Sequence, residues 1–290
     1  MDLIYRVAGH VFSVSAECAG AQMPCDMQAY EPFAVEASDV DRDEKVFSLE
    51  IVQNAELIAF AEQTRQVDEG QEISCGRLQD GSSIFEFYLG DCTTGQLVCS
   101  SDFCHGKILL SGYAQKFAVN NALMVMYALA TANKGTLLFH SAVVSCDGFG
   151  YMFLGKSGTG KSTHARMWLE HISGTELLND DNPVVRVFDD GVKVYGSPWS
   201  GKTPCYKNRE LPLGGIVLLS QAPHNEIARL HVIEAYGAVV ASVSGMRWNS
   251  EIADGLHNAE NELVKRIKIW HLECLPNAAA AEICHAQIKV

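Results

Sequence analysis

No CxxC pair occurs among the ten cysteines, which are scattered from Cys18 to Cys284. A zinc ribbon or a dithiol redox motif needs such close pairs, so neither is expected. Basic charge is also scarce: 22 Lys and Arg against 35 Asp and Glu give a net charge of −13. A chain with that balance lacks the basic face that non-specific nucleic-acid binding or attachment to an anionic membrane needs. A nucleotide partner is still allowed, because phosphate sites are local and built largely from backbone N–H groups. Long apolar runs are missing as well. The most apolar stretch, Ala122–Ala132, is too short to cross a bilayer. The opening residues, MDLIYRVAGHVF, have neither the basic region nor the apolar segment of a secretory leader. Cysteines in that setting are expected to be reduced thiols in a cytoplasm, packed as small hydrophobes. There is no internal repeat and no low-complexity tract.

What is present divides in two. Up to about residue 112 the chain reads as strands and turns. YRVAGHVFSV and KVFSLEIV alternate, GRLQDGSSIFEFYL places a turn before an aromatic run, and GDCTTG leads into QLVCSS. Residues 36–45 read as a charged loop, and the polar segment 60–72 has no clear periodicity. No motif in this β-rich accessory module carries chemistry. From 113 to 290 helices and strands mix. Residues 117–132 are apolar at helical spacing. TLLFHSAVV (136–144) and YMFLG (151–155) read as strands joined by the turn SCDGFG, a connection so short that they must run antiparallel. A helix from Lys161 to Ile172 follows, then a short strand, TELLNDD. VVRVF and VKVYG form a hairpin across Asp189-Asp190-Gly191. GGIVLLSQ (214–221) and IKIWHLEC (267–274) read as strands, with helices at 233–246, 256–267 and 277–286. The expected fold is mixed α+β: a small β-rich module over 1–112, then a domain over 113–290 with a mixed sheet flanked by helices.

The residues that carry chemistry are Gly155-Lys156-Ser157-Gly158-Thr159-Gly160-Lys161-Ser162. This is the full phosphate-loop (Walker A) pattern, set between an apolar strand and a helix. Glycines let successive N–H groups turn inward into an anion nest. The following helix aims its positive end at the same phosphates. Lys161 would neutralise β and γ oxygens, and the Ser162 hydroxyl would ligate Mg²⁺. Thr163 continues the loop into the helix. The acids Asp180 and Asp181 end the next strand, where paired carboxylates suit metal-assisted phosphoryl transfer: one orients the ion, the other accepts a hydroxyl proton. Asp189-Asp190 reads as a hairpin turn only. His140 sits within an apolar strand beside the loop strand and could share a proton with an aspartate base. His164 reads as packing. Lys202, Lys207 and Arg209 follow Trp199 in a Pro/Gly-rich loop, and Lys202 is the cation best placed in sequence to hold an anion. Arg247 is a weaker candidate of the same kind.

A histidine-bearing strand, a hairpin, GKSGTGKST, a helix and a strand ending Asp-Asp together resemble the HPr kinase/phosphorylase and phosphoenolpyruvate carboxykinase-like superfamily. The resemblance covers about 136–200 well and the rest of the C-terminal part loosely. It implies an ATP- and Mg²⁺-dependent kinase that transfers the γ-phosphoryl group to a serine-type hydroxyl on a peptide, small protein or metabolite. In that reading Asp180 is the base, His140 its support, and Asp181 the acid on the metal side. A homo-oligomer is allowed by the same analogy. HPr kinases carry glutamate after the loop serine where this chain has Thr163, so HPr itself is not the expected acceptor. The competing class is a nucleotide-holding sensor or assembly module without efficient transfer.

Overall fold

The computed structural model describes residues 2–16, 23, 25–41, 44–68, 71–201 and 203–290. They form two compact units, Met1–Thr131 and Ala132–Val290.

In the first unit, β1 (Leu3–Val7) and β2 (His10–Ala16) form a hairpin, with Ala8 and Gly9 both at positive φ in the turn. YRVAGHVFSV is therefore two strands. β3 (Lys45–Val52) runs parallel to β2 and also to β8 (His105–Leu110). Between them in sequence, β4 (Glu62–Asp68), β5 (Gln71–Arg77), β6 (Ser83–Leu89) and β7 (Cys92–Cys99) extend the sheet as an antiparallel meander. Within the polar segment 60–72, residues 69 and 70 lie outside the described residues, 71–72 are the start of β5, and 62–68 are thus the edge strand β4. Its polarity suits an edge: Arg65 bridges Glu62 and Glu72, each at 2.6 Å, which discourages pairing with a further strand. One face of the sheet is apolar. Phe47, Leu49 and Ile51 of β3 are buried at every second position, each worth roughly 2 kcal/mol of burial. Helix α1 (Gln115–Thr131) covers that face through Ala118, Ala122 and Met126. Gly106 permits the approach, since a Cβ there would lie 2.8 Å from Met126 Sδ. The expected boundary at 112/113 assigns α1 to the second domain. The helix instead packs on β3, β7 and β8, and the first unit runs to Thr131.

The second unit is built on a mixed sheet in the order β12-β10-β11-β15-β14-β13-β9. Its strands are β9 (Thr136–Leu138), β10 (Ser141–Cys146), β11 (Phe149–Leu154), β12 (Glu176–Asp181), β13 (Val184–Phe188), β14 (Gly191–Tyr195) and β15 (Glu210–Gln221). β16 (Glu226–Arg229) pairs with β17 (Ile269–Cys274), which runs parallel to the second half of β15. Asp147 (φ 50°) and Gly148 (φ 82°) make the tight turn that sets β10 antiparallel to β11, as the short connection requires. β11 is parallel to β15 on its other side. Segment 136–144 is not one strand. It breaks at Phe139–His140, with β9 pairing β13 and β10 pairing β11 and β12. Helix α2 (Lys161–His171) and helix α5 (Ala278–Ile288) pack on one face, burying Tyr151, Phe153, Trp168, Ala281 and Cys284. Helix α3 (Val232–Val240) is shorter than the expected 233–246, and α4 (Ser250–Arg266) begins earlier than 256. The whole is a mixed α+β fold, its mixed sheet flanked by helices. No helix among the described residues is long and apolar enough to cross a membrane.

Candidate functional site

β11 is a central strand, and its residues from Gly150 to Leu154 are buried. The chain leaves it through three glycines at positive φ: Gly155 (153°), Gly158 (77°) and Gly160 (107°). A Cβ at Gly158 would meet nothing within 4 Å, so that position needs the backbone conformation rather than the space. At Gly155 both apply, because a Cβ would press on Thr159 at 3.1 Å and on Leu219 O at 3.3 Å. Within the loop, Thr159 N donates to Lys156 O (3.1 Å). Lys161 Nζ donates to Gly155 O (3.0 Å) and Lys156 O (3.4 Å), so its ammonium lies over the loop that it closes. Ser162 is exposed and Thr163 half-buried in the first turn of α2.

Gly160 precedes α2 as its N-cap, in the left-handed conformation and with no side-chain cap. The N–H groups of the first turn have no acceptor within the helix itself. The neighbouring helices are finished differently. Asn249 caps α4 by accepting from Ile252 N, and Asn277 caps α5 by accepting from Ala280 N. At α3, Glu234 reaches back to His231 N. The start of α2 differs in having glycine at its N-cap, and the positive end of its dipole lies at the loop.

Sequence reasoning missed Gln221. At the end of β15 its Nε2 donates to Gly158 O (3.2 Å) and Thr159 O (3.4 Å), holding the crest of the loop. Only the parallel pairing of β11 with β15 brings position 221 there, and no motif marks it. His164 accepts from Trp168 Nε1 (3.1 Å) and packs edge-on against Phe153. Burial lowers its pKa to about 4, so the ring is neutral at pH 7 and serves packing.

The two aspartates reach the same end of the sheet. Ala142 on β10 is opposite Phe153 of β11 on one side and Asp180 of β12 on the other. Two strand spacings, about 10 Å, separate the Asp180 and Phe153 backbones. β12 is thus two strands from the loop strand, with β10 between. A β-bulge decides which acid faces α2. Val143 is opposite Asn179, but Val144 is opposite Leu177, so Leu178 is the extra residue. The bulge resets the alternation. Leu177 and Asp180 share the face of Val144 and Ala142, on which α2 packs, and Asp181 takes the other face.

Their surroundings differ accordingly. Asp180 is buried, and its Oδ2 has no hydrogen-bond partner among the described residues. Asp181 is half-buried with both oxygens engaged: Oδ1 lies 3.2 Å from His140 Nδ1, and Oδ2 accepts from Asn182 Nδ2 (2.8 Å). His140 sits in the β9–β10 break, where its N–H donates to Ser242 O (2.8 Å). It therefore meets Asp181, whereas the resemblance has it supporting Asp180. Buried Asn179 frames the pair, donating to Ser197 Oγ and Trp199 O (both 3.1 Å) and accepting from Asp181 N (3.1 Å).

The cation loop meets the aspartates through its backbone: Gly201 N donates to Asp180 O (2.7 Å), and Ser200 forms an isolated bridge with Asp181. Lys202 lies outside the described residues. Lys207 and Arg209 both pair with Glu176, at 3.3 and 3.0 Å. Trp199 is fully buried, and Arg247 pairs at 2.5 Å with the buried Glu260.

A glycine-rich strand–loop–helix in a mixed sheet, with a buried acid and a His–Asp pair at the same end, defines the second unit. The family model for SynChlorMet cassette protein ScmC matches residues 110–276, more than half of the chain, and the chain belongs to that family. No curated protein matches it. Among solved structures, the Hpr(Ser) kinase/phosphatase from Coxiella burnetii aligns over 51% of this chain and 91% of its own, with 10% identity and a TM-score of 0.30. Similarity at that level transfers neither fold nor chemistry.

Proposed function

We propose that this protein is an ATP- and Mg²⁺-dependent kinase that transfers a phosphoryl group to a serine-type hydroxyl on a peptide, small protein or metabolite. One juxtaposition carries the reading. A helix N-terminus capped only by Gly160, behind a complete phosphate loop, shares a sheet face with a buried carboxylate oxygen that has no hydrogen-bond partner among the described residues. Two such features on one face suit a polyphosphate and its divalent ion. Ser162 and Asp180 are the oxygen donors that would hold the ion, which supports the equatorial charge of the transferring group.

The chain's own residues do the rest. Loop amides and Lys161 bind the β and γ oxygens. The acceptor hydroxyl attacks the γ-phosphorus, the bond to the β–γ bridging oxygen breaks, and the nucleoside diphosphate leaves. The acceptor proton passes to Asp181, whose carboxylate His140 orients. This reading gives the two aspartates the reverse of the roles that the resemblance assigns; the His140–Asp181 pair, and an Asp180 Oδ2 with no hydrogen-bond partner among the described residues, support it. The described cysteines are all free, which fits a reducing cytoplasm.

The test is incubation of the full chain with γ-labelled ATP and Mg²⁺ against serine peptides, free serine and a proteome extract. Label moving to a hydroxyl acceptor supports the reading. ATP bound tightly with the label never leaving it identifies a nucleotide-holding module instead.

Gln221 gives a milder check. Gln221→Ala frees the carbonyls of Gly158 and Thr159 at an exposed site, so the loop loses order but the core is untouched. Isothermal titration should show ATP affinity down by roughly 3- to 10-fold, from about 1 kcal/mol of lost preorganisation. Melting temperature should change little.

A further inference from the structure

At the opposite end of the same sheet, Cys146, Asp147 and His285 each bring one donor atom to within 4.8 Å of the others. Cys146 ends β10 and Asp147 begins the hairpin turn; His285 lies in the last turn of α5. Cys146 is opposite Phe149, four residues before Phe153, so the cluster lies about 13 Å along β11 from that residue.

We propose that these three side chains bind a borderline-soft divalent cation, zinc in the first instance, with solvent as the fourth ligand. The donor set is one thiolate, one imidazole and one carboxylate, all ordinary zinc ligands. Sulfur at ~2.3 Å and nitrogen at ~2.0 Å from a tetrahedral ion lie roughly 3.6 Å apart. Cys146 Sγ and His285 Nε2 are 3.9 Å apart, so a few tenths of an ångström closes the site. The imidazole is steadied by Trp168, which meets it edge-on with centroids 5.3 Å apart. The cation can enter from solvent, because Asp147 is exposed while the thiol is buried.

A bound cation would take the Cys146 sulfur as thiolate. The ion would tie the end of α5 to the β10–β11 turn, a staple remote from the phosphate loop. Another group, His224, Glu226 and Glu273, has no soft donor and lies on the exposed β16–β17 edge.

The experiment is titration of the chelator-stripped full chain with Co²⁺, followed by Zn²⁺. A thiolate-to-cobalt charge-transfer band at one equivalent, displaced by Zn²⁺, is expected from the unsubstituted protein and is lost in Cys146→Ser. Asp147→Asn covers the case in which the cysteine variant fails to fold. Position 147 is exposed at φ 50°, a conformation asparagine adopts readily, so the turn survives while the charge goes. Its Co²⁺ affinity should fall at least ~10-fold with unchanged circular dichroism. Absence of the band in the unsubstituted protein, an undiminished band in Cys146→Ser, or full affinity in Asp147→Asn would each overturn the assignment.

Discussion

Lys161→Ala is expected to weaken ATP binding at least ~100-fold while leaving the fold in place. The ammonium is half-buried above the loop and satisfied by Gly155 O and Lys156 O. Those carbonyls hold it at the loop mouth, where β and γ oxygens would arrive, so little side-chain entropy remains to be lost on binding. Removing one member of a partly buried, hydrogen-bonded charge pair costs about 2–5 kcal/mol, and ~3 kcal/mol is about 100-fold in Kd. Folding should suffer much less. The substitution deletes hydrogen bonds to two carbonyls near solvent, worth about 1 kcal/mol, and alanine at the first position of α2 is a good helix former. Titration calorimetry and a thermal melt on one preparation separate the two effects. Binding within threefold of the unsubstituted chain would remove the phosphate loop from the functional reading.

That loop was the most legible part of the sequence, because its requirements are local. Glycine at 155, 158 and 160, lysine at 161 and an apolar strand before them follow from dihedral freedom and charge, and the structure gives all three glycines positive φ. The Asp147-Gly148 turn was readable for the same reason. The orientation of the acids was not. Strict alternation from Leu177 would put Asp181 on the α2 face, and only the extra residue at Leu178 puts Asp180 there instead. A bulge is a property of the pairing between β10 and β12, which no window on either strand contains. His140 was singled out, but its pairing with Asp181 was not, because it sits in a break at Phe139–His140 held by bonds to Pro183 O and Ser242 O from distant segments. β4 was missed because an edge strand satisfies few side chains by burial, so its hydrophobic period is absent. Gln221 depended on a loop carbonyl 63 residues away in sequence, and Lys207 and Arg209 were claimed by Glu176 of β12. In each case the deciding partner is remote along the chain.

The same bulge makes the two aspartates separable by experiment. Asp181→Asn should keep ATP affinity within about threefold and reduce turnover by ~10³-fold or more. An amide cannot take the acceptor proton, and general-base assistance contributes about 10²–10⁴-fold. The hydrogen bond from Asn182 Nδ2 can be kept by the asparagine oxygen, so the site geometry survives. Asp180→Asn should behave differently. Its Oδ2 is buried with no hydrogen-bond partner among the described residues, next in sequence to a second carboxylate. With no ion present, an amide is cheaper to bury there than a carboxylate whose Oδ2 no described residue satisfies, so the variant should melt a few degrees higher, on the scale of about 1 kcal/mol. With Mg²⁺ the order should invert. The Mg²⁺ concentration for half-maximal ATP binding should rise ~10-fold, because one of two ligating oxygens has become a weaker neutral donor. A stability gain coupled to a metal-affinity loss is the signature of a residue kept for ligation at the cost of folding free energy. If Asp180→Asn instead lost turnover with unchanged metal dependence, and Asp181→Asn retained it, then the histidine-backed acid is not the base, and proton transfer belongs to the α2 face of the sheet.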